Sequence, residues 1–553
     1  MKWWGWGDPK EQFNITDKPK LWPYISHSLG LDPDVNIITN PPIKFEDIAL
    51  PHPKRNEPFL SSIKIPLFFN DLERVTHAYG KSFRDLWRIR NGILNWAPDC
   101  ICYPETEEEV VEIIQKANEH NVVIIPFGGG SNIAGCLEAR DDDERMIISL
   151  DMRKMNRILH VDPESRIAKV QAGMMGPDFE SQLNIVGMTL GHFPDSFQYS
   201  SVGGWVATRS AGMQSDKYGK IEDMVISLRV ITPTGKIITR MVPKASNGIN
   251  LLHLCIGSEG ILGIITEVVL QVHPIPSYKE YGSYFFPDFE SGSKAIYECA
   301  ISGITPSMTR LNDPVKTALS LAFKTKGSKT EQLASSLIKI YLKTIKKLDF
   351  SKACLLLVCF ENTQREKKQA ERIYKKYGAI SLGSSPGKSF EKGKYDFPYI
   401  RDFVMDRGAM ADVSETSTVW SNLIPLYHKA YEAITQAIKK TGAKPFCGCH
   451  ISHTYHSGAS LYFTFACKQN TQKELTQYLA IKKAAEDAFM QNGGTLSHHH
   501  GVGFEHQPWM EEEFSDTGLK ALQALKKGLD PKGIMNPGKI IPTEKSLASW
   551  HAE

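Results

Sequence analysis

Hydrophobic and polar positions change between helical and strand periodicity from about residue 103 onward. Thr106 and Glu109 have the spacing of a helix capping box, and Val110, Ile113 and Ala117 follow at helical spacing. The apolar run 122–126 then predicts a strand that ends in glycines. Further strands are predicted at 146–150, 167–172, 224–232 and 264–272. The pattern predicts a compact domain in which helices and strands are mixed.

The rest of the chain divides around that domain. Residues 1–92 are rich in proline and aromatic side chains with weak periodicity, and we interpret them as an extended N-terminal arm that wraps a core. Residues 93–276 form the first domain, 277–490 a second domain, and 491–553 a C-terminal segment that returns to the first. In the later parts the pattern predicts strands at 354–360 and 459–467 and helices at 363–377, 425–441 and 517–529.

One segment of the second domain combines apolar and basic residues. Within a candidate membrane-facing segment at 313–350, apolar side chains recur at helical spacing and lysines surround them: Leu333, Leu337, Ile340 or Tyr341, Ile345 and Leu348, with Lys339, Lys343, Lys346 and Lys347. A basic amphipathic helix of this kind can lie on an anionic membrane surface. The alternative is an ordinary surface helix of the second domain.

Composition excludes several classes of protein. A length of 553 residues is too long for one ordinary core, and a net charge of +3 is too small to indicate nucleic-acid binding. The apolar runs are far shorter than the roughly 20 residues that span a bilayer. Ten dispersed cysteines without a CxxC pair favour reduced, buried thiols in a reducing compartment.

Three consecutive histidines, His498, His499 and His500, stand between glycines in the run 493–503. Imidazoles are the side chains best suited to move protons near neutral pH. The alternatives are a chance surface cluster and a metal site. The flanking glycines favour a turn that brings the imidazoles into a pocket.

Four runs of glycine and hydroxyl residues follow one another in the first domain. They read GGGSN at 128–132, PDSFQYSS at 194–201, TRSAG at 208–212 and GSEGILGIITE at 257–267. Such runs let a backbone approach a flat ring or a pyrophosphate closely. Each alone is typical of a tight turn, and the spacing is not GxGxxG, so a Rossmann fingerprint is not indicated.

The order of these runs resembles the FAD domain of the vanillyl-alcohol oxidase (PCMH-type) flavoproteins. The resemblance implies an α+β fold: a PCMH-type two-subdomain FAD-binding domain plus an α+β cap (substrate) domain. Ser131 and Asn132 stand where some members tether the flavin through a histidine, so we expect noncovalent FAD. The implied cofactor-binding residues are Pro126, Phe127, Gly128, Gly129, Gly130, Ser131, Asn132, Pro194, Asp195, Ser196, Ser200, Ser201, Gly204, Thr208, Arg209, Ser210, Ala211, Glu259, Gly260, Leu262, Gly263, Ile264 and Ile265.

Within that superfamily the chain is similar to the ether-lipid enzymes, the alkyldihydroxyacetonephosphate synthases, over nearly its whole length. The motifs that carry this resemblance are KWxGWG at 2–7, SVGGWV at 201–206, TRL at 309–311, YIRD at 399–402, TY at 454–455 and SHHHGVG at 497–503. The resemblance implies exchange of the acyl chain of acyl-dihydroxyacetone phosphate for a long-chain fatty alcohol. It further implies that reduced flavin acts as a nucleophile without net redox change.

The resemblance also assigns roles to individual side chains. Tyr455 and the histidine run supply acid–base groups, Arg310 is essential near the flavin, and Arg401 contacts the phosphate or substrate. A guanidinium fork suits a phosphate, and a phenol relays protons if neighbours lower its pKa. Without the resemblance, a lone tyrosine is more often a core residue and a lone arginine more often a solvated ion-pair partner. No metal ligand set is predicted.

Two other functions remain open at this point. An FAD-dependent D-2-hydroxy-acid dehydrogenase or oxidase, of the D-lactate or D-2-hydroxyglutarate type, shares the FAD domain and the closing NPGK at 536–539. Those enzymes carry the metal motif HxGDGNxH, whereas residues 456–463 read HSGASLYF and lack its second histidine, aspartate and asparagine. A noncatalytic flavin- or lipid-binding protein is the other alternative, and it needs no cluster of proton-transfer groups.

The resemblance sets expectations about partners and place. We expect a homodimer that meets a membrane peripherally and binds no nucleic acid. The C-terminal residues HAE are not a peroxisomal signal of the SKL type. We therefore expect a cytoplasmic protein at a membrane surface, and a peroxisomal one only if a targeting segment is missing from this chain.

Overall fold

The computed structural model describes residues 2–139, 143–325, 340 and 342–543. The N-terminal region was predicted to be extended, but it contains four short helices. They are α1 (Leu21–Leu29), α2 (Glu57–Ser62), α3 (Asp71–Thr76) and α4 (Phe83–Arg90). Side-chain caps start three of them, because Asn56, Asn70 and Ser82 each accept the backbone N–H three residues on. Helices this short carry too few apolar positions to show a period in the sequence.

The first domain begins with a four-stranded sheet in the order β1–β2–β4–β3. Its strands are β1 (Leu67–Phe68), β2 (Cys100–Cys102), β3 (Val123–Phe127) and β4 (Ile147–Asp151). Helix α5 (Glu107–His120) packs on it and starts where predicted. Only half of the capping box forms: Thr106 accepts the N–H of Glu109, whereas the Glu109 carboxylate accepts the N–H of Glu105.

A second, antiparallel sheet completes the first domain in the order β5–β6–β10–β8–β9. The two sheets correspond to the two predicted subdomains. The strands of this second sheet are β5 (Ile158–Asp162), β6 (Ile167–Gln171), β8 (Val225–Thr232), β9 (Gly235–Ile238) and β10 (Ile264–Gln271). A separate pair is formed by β7 (Met188–Thr189) and β11 (His273–Pro274). The helices of this part are α6 (Gly176–Ile185), α7 (Val202–Thr208), α8 (Ser215–Tyr218), α9 (Ile221–Met224) and α10 (Leu251–Cys255).

The second domain is built on a seven-stranded antiparallel sheet in the order β15–β12–β14–β13–β17–β18–β16. Helix α16 (Trp420–Lys440) starts five residues before the predicted position and contains Pro425. Burial of Leu423 and Leu426 in the core outweighs the unfavourable effect of a proline inside a helix. The elements are β12 (Lys279–Phe286), β13 (Met308–Asn312), β14 (Cys354–Glu361), β15 (Ile380–Gly383), β16 (Ala409–Val419), β17 (Phe446–Thr454), β18 (Gly458–Lys468), α11 (Phe289–Ile301), α12 (Pro314–Ala322), α13 (Gln364–Lys376), α14 (Ser385–Lys392), α15 (Phe397–Met405), α16 (Trp420–Lys440) and α17 (Glu474–Gln491).

The C-terminal segment returns to the first domain. Helix α18 (Met510–Leu529) begins before the predicted residue 517 and is broken at Ser515, which has φ 64°. Beyond it, the Asn536 N–H donates to the Ile124 carbonyl (2.9 Å), so the stretch around Asn536 lies beside β3. This contact brings the loop with the histidine run over the first domain.

Half of the predicted amphipathic stretch 333–348 lies outside the described residues, which omit Leu333, Leu337, Lys339 and Tyr341. Of the remainder, Leu348 is buried, whereas Ile345 is 67% exposed between exposed lysines. In the parts of the chain that the structure describes, no helix is both long enough and apolar enough to cross a bilayer.

Candidate functional site

One deep cavity lies between the two domains and has two chemically different walls. Segments of the first domain that carry the glycine and hydroxyl runs form one wall, which we call the backbone wall. The other wall is formed by strands β13, β16, β17 and β18 together with α12, α15 and the histidine run, and we call it the side-chain wall.

The backbone wall consists mainly of small residues held at close quarters. A Cβ atom added to Gly129 would lie 1.8 Å from the Tyr199 carbonyl oxygen, and one added to Gly203 would lie 2.7 Å from the Ala172 side chain. Larger residues at these positions would force the loops apart. The narrow, flat surface that results fits a planar ring with a phosphate tail, as the predicted FAD requires.

All but two of the predicted cofactor-binding residues line the cavity. The two exceptions are Arg209 and Leu262. The Arg209 guanidinium donates to the carbonyls of Ile256 (3.2 Å) and His253 (3.1 Å), and Leu262 is packed in the core. Both occupy structural positions within motifs whose other members face the cavity.

Glu259 lines the cavity and also joins the two ends of the site. Its carboxylate accepts the backbone N–H groups of Val502 (2.6 Å) and Gly503 (2.8 Å) in the loop after the histidine run. Burial raises the pKa of this carboxyl. The Asn536 amide donates to the Glu259 carbonyl (2.7 Å), so the NPG motif at 536–538 has a structural role at the same joint.

On the side-chain wall, strand alternation places the functional groups in register. His450 of β17 pairs with Tyr462 of β18, and Tyr462 pairs with Glu415 of β16. Side chains two residues apart on one strand share a face, so Arg310, Ser452 and Thr464 face the same cavity. The sheet therefore presents one row of polar and ionisable groups to the cofactor-binding side.

The histidine run is anchored by one buried carboxylate. Glu415 accepts the backbone N–H groups of His498 (2.9 Å), His499 (3.0 Å) and His500 (3.1 Å). Burial alone would raise its pKa, but the imidazoles of His499 and His500 hold that pKa well below the usual range. A permanently charged Glu415 thus fixes the turn that the flanking glycines predicted.

A hydrogen-bonded chain runs from Tyr455 to the cavity. The Tyr455 phenol oxygen lies 2.6 Å from His498 Nε2, and His498 Nδ1 lies 2.9 Å from His499 Nδ1. His499 lines the cavity, whereas Tyr455 and His498 lie behind it. The predicted groups are therefore brought together, with the tyrosine at one end of the chain and His499 at the other.

The pKa values of this chain differ from the sequence-based expectation. Burial, reinforced by Asp216 and Glu222, raises the pKa of Tyr455, whereas a lowered one was expected. Burial also holds the pKa of His498 well below its usual range. Both groups are neutral near pH 7, and the phenol O–H donates to the imidazole. The link between Tyr455 and His498 therefore joins a neutral phenol to a neutral imidazole and holds no phenolate.

His453 belongs to the cluster although the sequence analysis did not single it out. It occupies a bulge of β17 with φ 51°, a left-handed conformation that is unfavourable for a residue with a side chain. Its Nδ1 lies 2.5 Å from Ser215 Oγ, and its ring stacks on His498 at 5.0 Å. The bulge breaks the alternation of side chains along the strand, so no local pattern in the sequence identifies His453.

The two predicted arginines lie at opposite sides of the side-chain wall. Arg310 lies over the rings of Phe390 (5.2 Å) and Phe397 (5.8 Å), and burial lowers its pKa. Arg401, on α15, lies 3.8 Å from Asp412 of β16, and its Nε is buried with no hydrogen-bond partner among the described residues. Arg401 lines the cavity, and a guanidinium suits a phosphate.

Two groups of side chains have the geometry of metal ligands. Ligand atoms of His453, His498 and His499, and those of Glu415, His499 and His500, lie within 4.8 Å of one another. Several of these nitrogens bond one another, Tyr455 or Ser215. The prediction that the site uses no metal remains a prediction.

Comparisons with known proteins agree with this geometry. Residues 98–240 match the family model of the FAD binding domain, and residues 275–540 match that of the FAD linked oxidases, C-terminal domain. A solved structure of p-cresol methylhydroxylase superimposes with a TM-score of 0.63 at 17% identity, covering 86% of this chain and 93% of that chain. At that identity the likeness concerns the fold alone, and it agrees with the predicted PCMH-type architecture.

Closer relatives cover nearly the whole chain. The alkyldihydroxyacetonephosphate synthase of Dictyostelium discoideum is 41% identical, over 99% of this chain and 94% of its own length. A crystal structure of an alkyldihydroxyacetonephosphate synthase has a TM-score of 0.83 at 38% identity, covering 97% of this chain and 98% of that one. The chain therefore belongs to the alkyldihydroxyacetonephosphate synthase family of FAD-linked flavoproteins.

Proposed function

We propose that this protein exchanges the acyl chain of acyl-dihydroxyacetone phosphate for a long-chain fatty alcohol, without net redox change. The observation that carries the proposal is the relay from Tyr455 through His498 to His499, which ends at the cavity facing the backbone wall. The backbone wall would hold FAD, which would supply the nucleophile for this exchange. A flavoprotein that only binds a ligand has no need of such a relay.

Each step of proton handling has a group in place. The relay accepts the proton that the alcohol releases when its oxygen bonds to C1, because His498 is a neutral imidazole and able to act as a base. Glu415 fixes the imidazoles at one position and stabilises the positive charge that they acquire. Arg401 has a free buried donor and is the proposed contact of the substrate phosphate.

The alternative, oxidation of a D-2-hydroxy acid, is supported less well. Its relatives need a divalent ion at the cap-domain motif, and residues 456–463 lack most of the ligands of that motif. The family comparisons favour the exchange as well.

A direct assay separates the two functions. We expect purified FAD-loaded protein to convert palmitoyl-dihydroxyacetone phosphate and hexadecanol into the alkyl product. D-lactate and D-2-hydroxyglutarate should leave the flavin oxidised. Flavin reduction by either hydroxy acid, without any alkyl product, would refute the proposal and support the dehydrogenase.

We also propose that the protein meets a membrane peripherally, at the cytoplasmic side, and forms a homodimer. Ile345 is exposed beside the exposed Lys343, Lys346 and Lys347, which suits an anionic lipid surface. Replacing these lysines and Lys339 by glutamate should abolish binding to anionic liposomes, and unchanged binding would refute the membrane proposal.

Light scattering of the purified protein tests the dimer, and imaging of a fluorescent fusion tests the location.

A further inference from the structure

Lys316 is a buried cation that lines the cavity. It takes part neither in the relay nor in the proposed contact between Arg401 and the phosphate. It is the third residue of α12, and only 5% of it is exposed. Its Nζ donates to His450 Nδ1 (2.7 Å) and to the Tyr462 carbonyl (3.4 Å). An ammonium has three N–H donors, so one remains for a ligand in the cavity that Lys316 lines.

Charges of both signs surround Lys316. Burial and then Arg310 lower its pKa, whereas Asp313 and Asp195 raise it. Asp313 caps the same helix, and its carboxylate already accepts the N–H groups of Lys316 (2.8 Å) and Cys449 (2.8 Å). Burying an ammonium is costly unless an anion partner lies nearby. A bound anion at the free donor would offset that cost.

The walls beside Lys316 indicate what kind of anion fits. The phenyl rings of Phe390 and Phe397 flank Arg310, and Met308 and Ile400 line the cavity with them. Lys316 lines the same cavity as these apolar side chains, and Arg310 is near enough to it to affect its pKa. This combination suits the carboxylate of a long-chain amphiphile, whose alkyl chain can cover the phenyl rings.

Lys316 and Arg401 approach the cavity from different elements. Lys316 reaches it from α12, beside β17 and β18, whereas Arg401 reaches it from α15 and faces Asp412 of β16. The exchange involves two anions, the phosphate that stays on the substrate and the carboxylate that departs. Two cationic groups at different positions can hold both at once.

We propose that Lys316, oriented by His450, binds the carboxylate of the fatty acid that leaves the substrate. This inference rests on the proposed exchange. When the bond between C1 and the acyl oxygen breaks, the electron pair stays on that oxygen, and the resulting carboxylate accepts a hydrogen bond from Lys316 Nζ. His450 accepts another N–H of the ammonium through its neutral imidazole and so aims the third.

The test compares two ligands that differ only in the head group. Palmitate and hexadecanol, each below its aggregation limit, are titrated by equilibrium dialysis into FAD-loaded wild type, Lys316→Met and the control Lys388→Met, which changes an exposed lysine of α14. Lys316→Met should weaken palmitate binding by about 10- to 100-fold, the usual worth of a hydrogen bond to a charged group. Hexadecanol should bind all three proteins alike. Unchanged palmitate affinity, or an equal loss for both ligands, would overturn the proposal.

A second arm separates the carboxylate from the phosphate. Dihydroxyacetone phosphate, which lacks the acyl chain, should bind wild type and Lys316→Met equally. If this phosphate alone is weakened, Lys316 serves the phosphate and the proposal is wrong. Lys316→Arg keeps the charge and should restore part of the palmitate affinity. Flavin content and the unfolding temperature of each variant show that it is folded.

The pH dependence of binding is a further signature. Burial, followed by the nearby Arg310, lowers the pKa of Lys316 to about 7. Palmitate should therefore bind more weakly as the pH rises above 7, and Lys316→Met should lose this dependence. The other groups that face the ammonium are Asp195, Asp313, Cys449, His450 and Tyr462. These binding measurements need no turnover. A protein without exchange activity would therefore refute the proposed function, whereas the binding data would still show whether Lys316 binds the carboxylate.

Discussion

The backbone wall and the side-chain wall of the cavity are built in opposite ways. The backbone wall consists of contiguous runs of glycine, serine and threonine, and its recognition comes from main-chain atoms at close approach. The side-chain wall takes its residues from elements that are far apart in the sequence, namely β13, β16, β17, β18, α12, α15 and the histidine run. The backbone wall binds one cofactor of fixed shape, which suits rigid main-chain contacts. The side-chain wall serves the reaction, which needs groups that can gain and lose protons.

This difference predicts two kinds of damage. Changes to the backbone wall should release FAD, because nothing on it can move aside. Changes to the side-chain wall should leave the flavin bound and impair the exchange. The following variants test that division.

The largest effect is expected on the side-chain wall, from Tyr455→Phe. Removing the phenol hydroxyl ends the relay to His498 but keeps the ring in place. The protein should stay yellow and FAD-loaded, and the exchange rate should fall by about 10²- to 10⁴-fold, the usual contribution of a positioned acid or base. Turnover of palmitoyl-dihydroxyacetone phosphate with hexadecanol measures this. A variant that retains its rate would remove Tyr455 from the mechanism.

On the backbone wall, Gly129→Ala should have the opposite signature. The new Cβ would lie 1.8 Å from the Tyr199 carbonyl oxygen, so one of the two loops must shift. FAD affinity should fall by roughly 100-fold or more, because main-chain contacts at a glycine tolerate little displacement. Flavin absorbance after gel filtration gives the content.

The matched control for this change is Gly528→Ala in α18, where an added Cβ meets no atom within 4 Å. It should keep full flavin content. Normal FAD binding by Gly129→Ala would show that the backbone wall is less rigid than its geometry indicates.

A smaller effect should follow from Arg401→Lys. The charge is kept but the planar fork of donors is lost, so the KM for the acyl substrate should rise by about 10-fold with little change in kcat. Hexadecanol has no phosphate, and its KM should stay the same. Steady-state kinetics with each substrate varied in turn test the assignment, and an equal rise for both would mean that Arg401 supports the fold of the site instead.

The smallest effect concerns pH and stability. Burial holds the pKa values of His450, His453, His498 and His500 well below the usual range. As the pH falls below ~6.5, the unfolded chain takes up protons that the folded chain does not, so each such histidine lowers the free energy of unfolding by about 1.4 kcal/mol per pH unit.

The unfolding temperature should therefore drop between pH 7.5 and pH 5.5. His450→Asn, which removes one of these groups, should make the drop smaller, while an exposed histidine such as His456 replaced by asparagine should not. Equal slopes in wild type and His450→Asn would mean that His450 is already protonated in the folded protein.

The sequence located most of one wall and only part of the other. The glycine runs were visible because each is contiguous, and all the predicted cofactor residues except Arg209 and Leu262 line the cavity. On the side-chain wall, Tyr455, Arg310, Arg401 and the histidine run were found through a family resemblance. Lys316 and His450 carried no local signal, since a lysine in a first helical turn and a histidine in a strand are common.

By itself, the sequence determined the longer, strongly periodic strands and helices, the glycine runs and the turn that presents the histidines, because these depend on local periodicity and backbone freedom. Only the tertiary structure decided the charge state of the site. Burial of Tyr455 raised a pKa that was expected to fall, and Glu415, 83 residues before His498, became the anchor of the histidine run. Desolvation sets the pKa of Tyr455, and contacts between segments distant in the sequence place Glu415 at the histidine run. Neither effect can be predicted from a local sequence pattern.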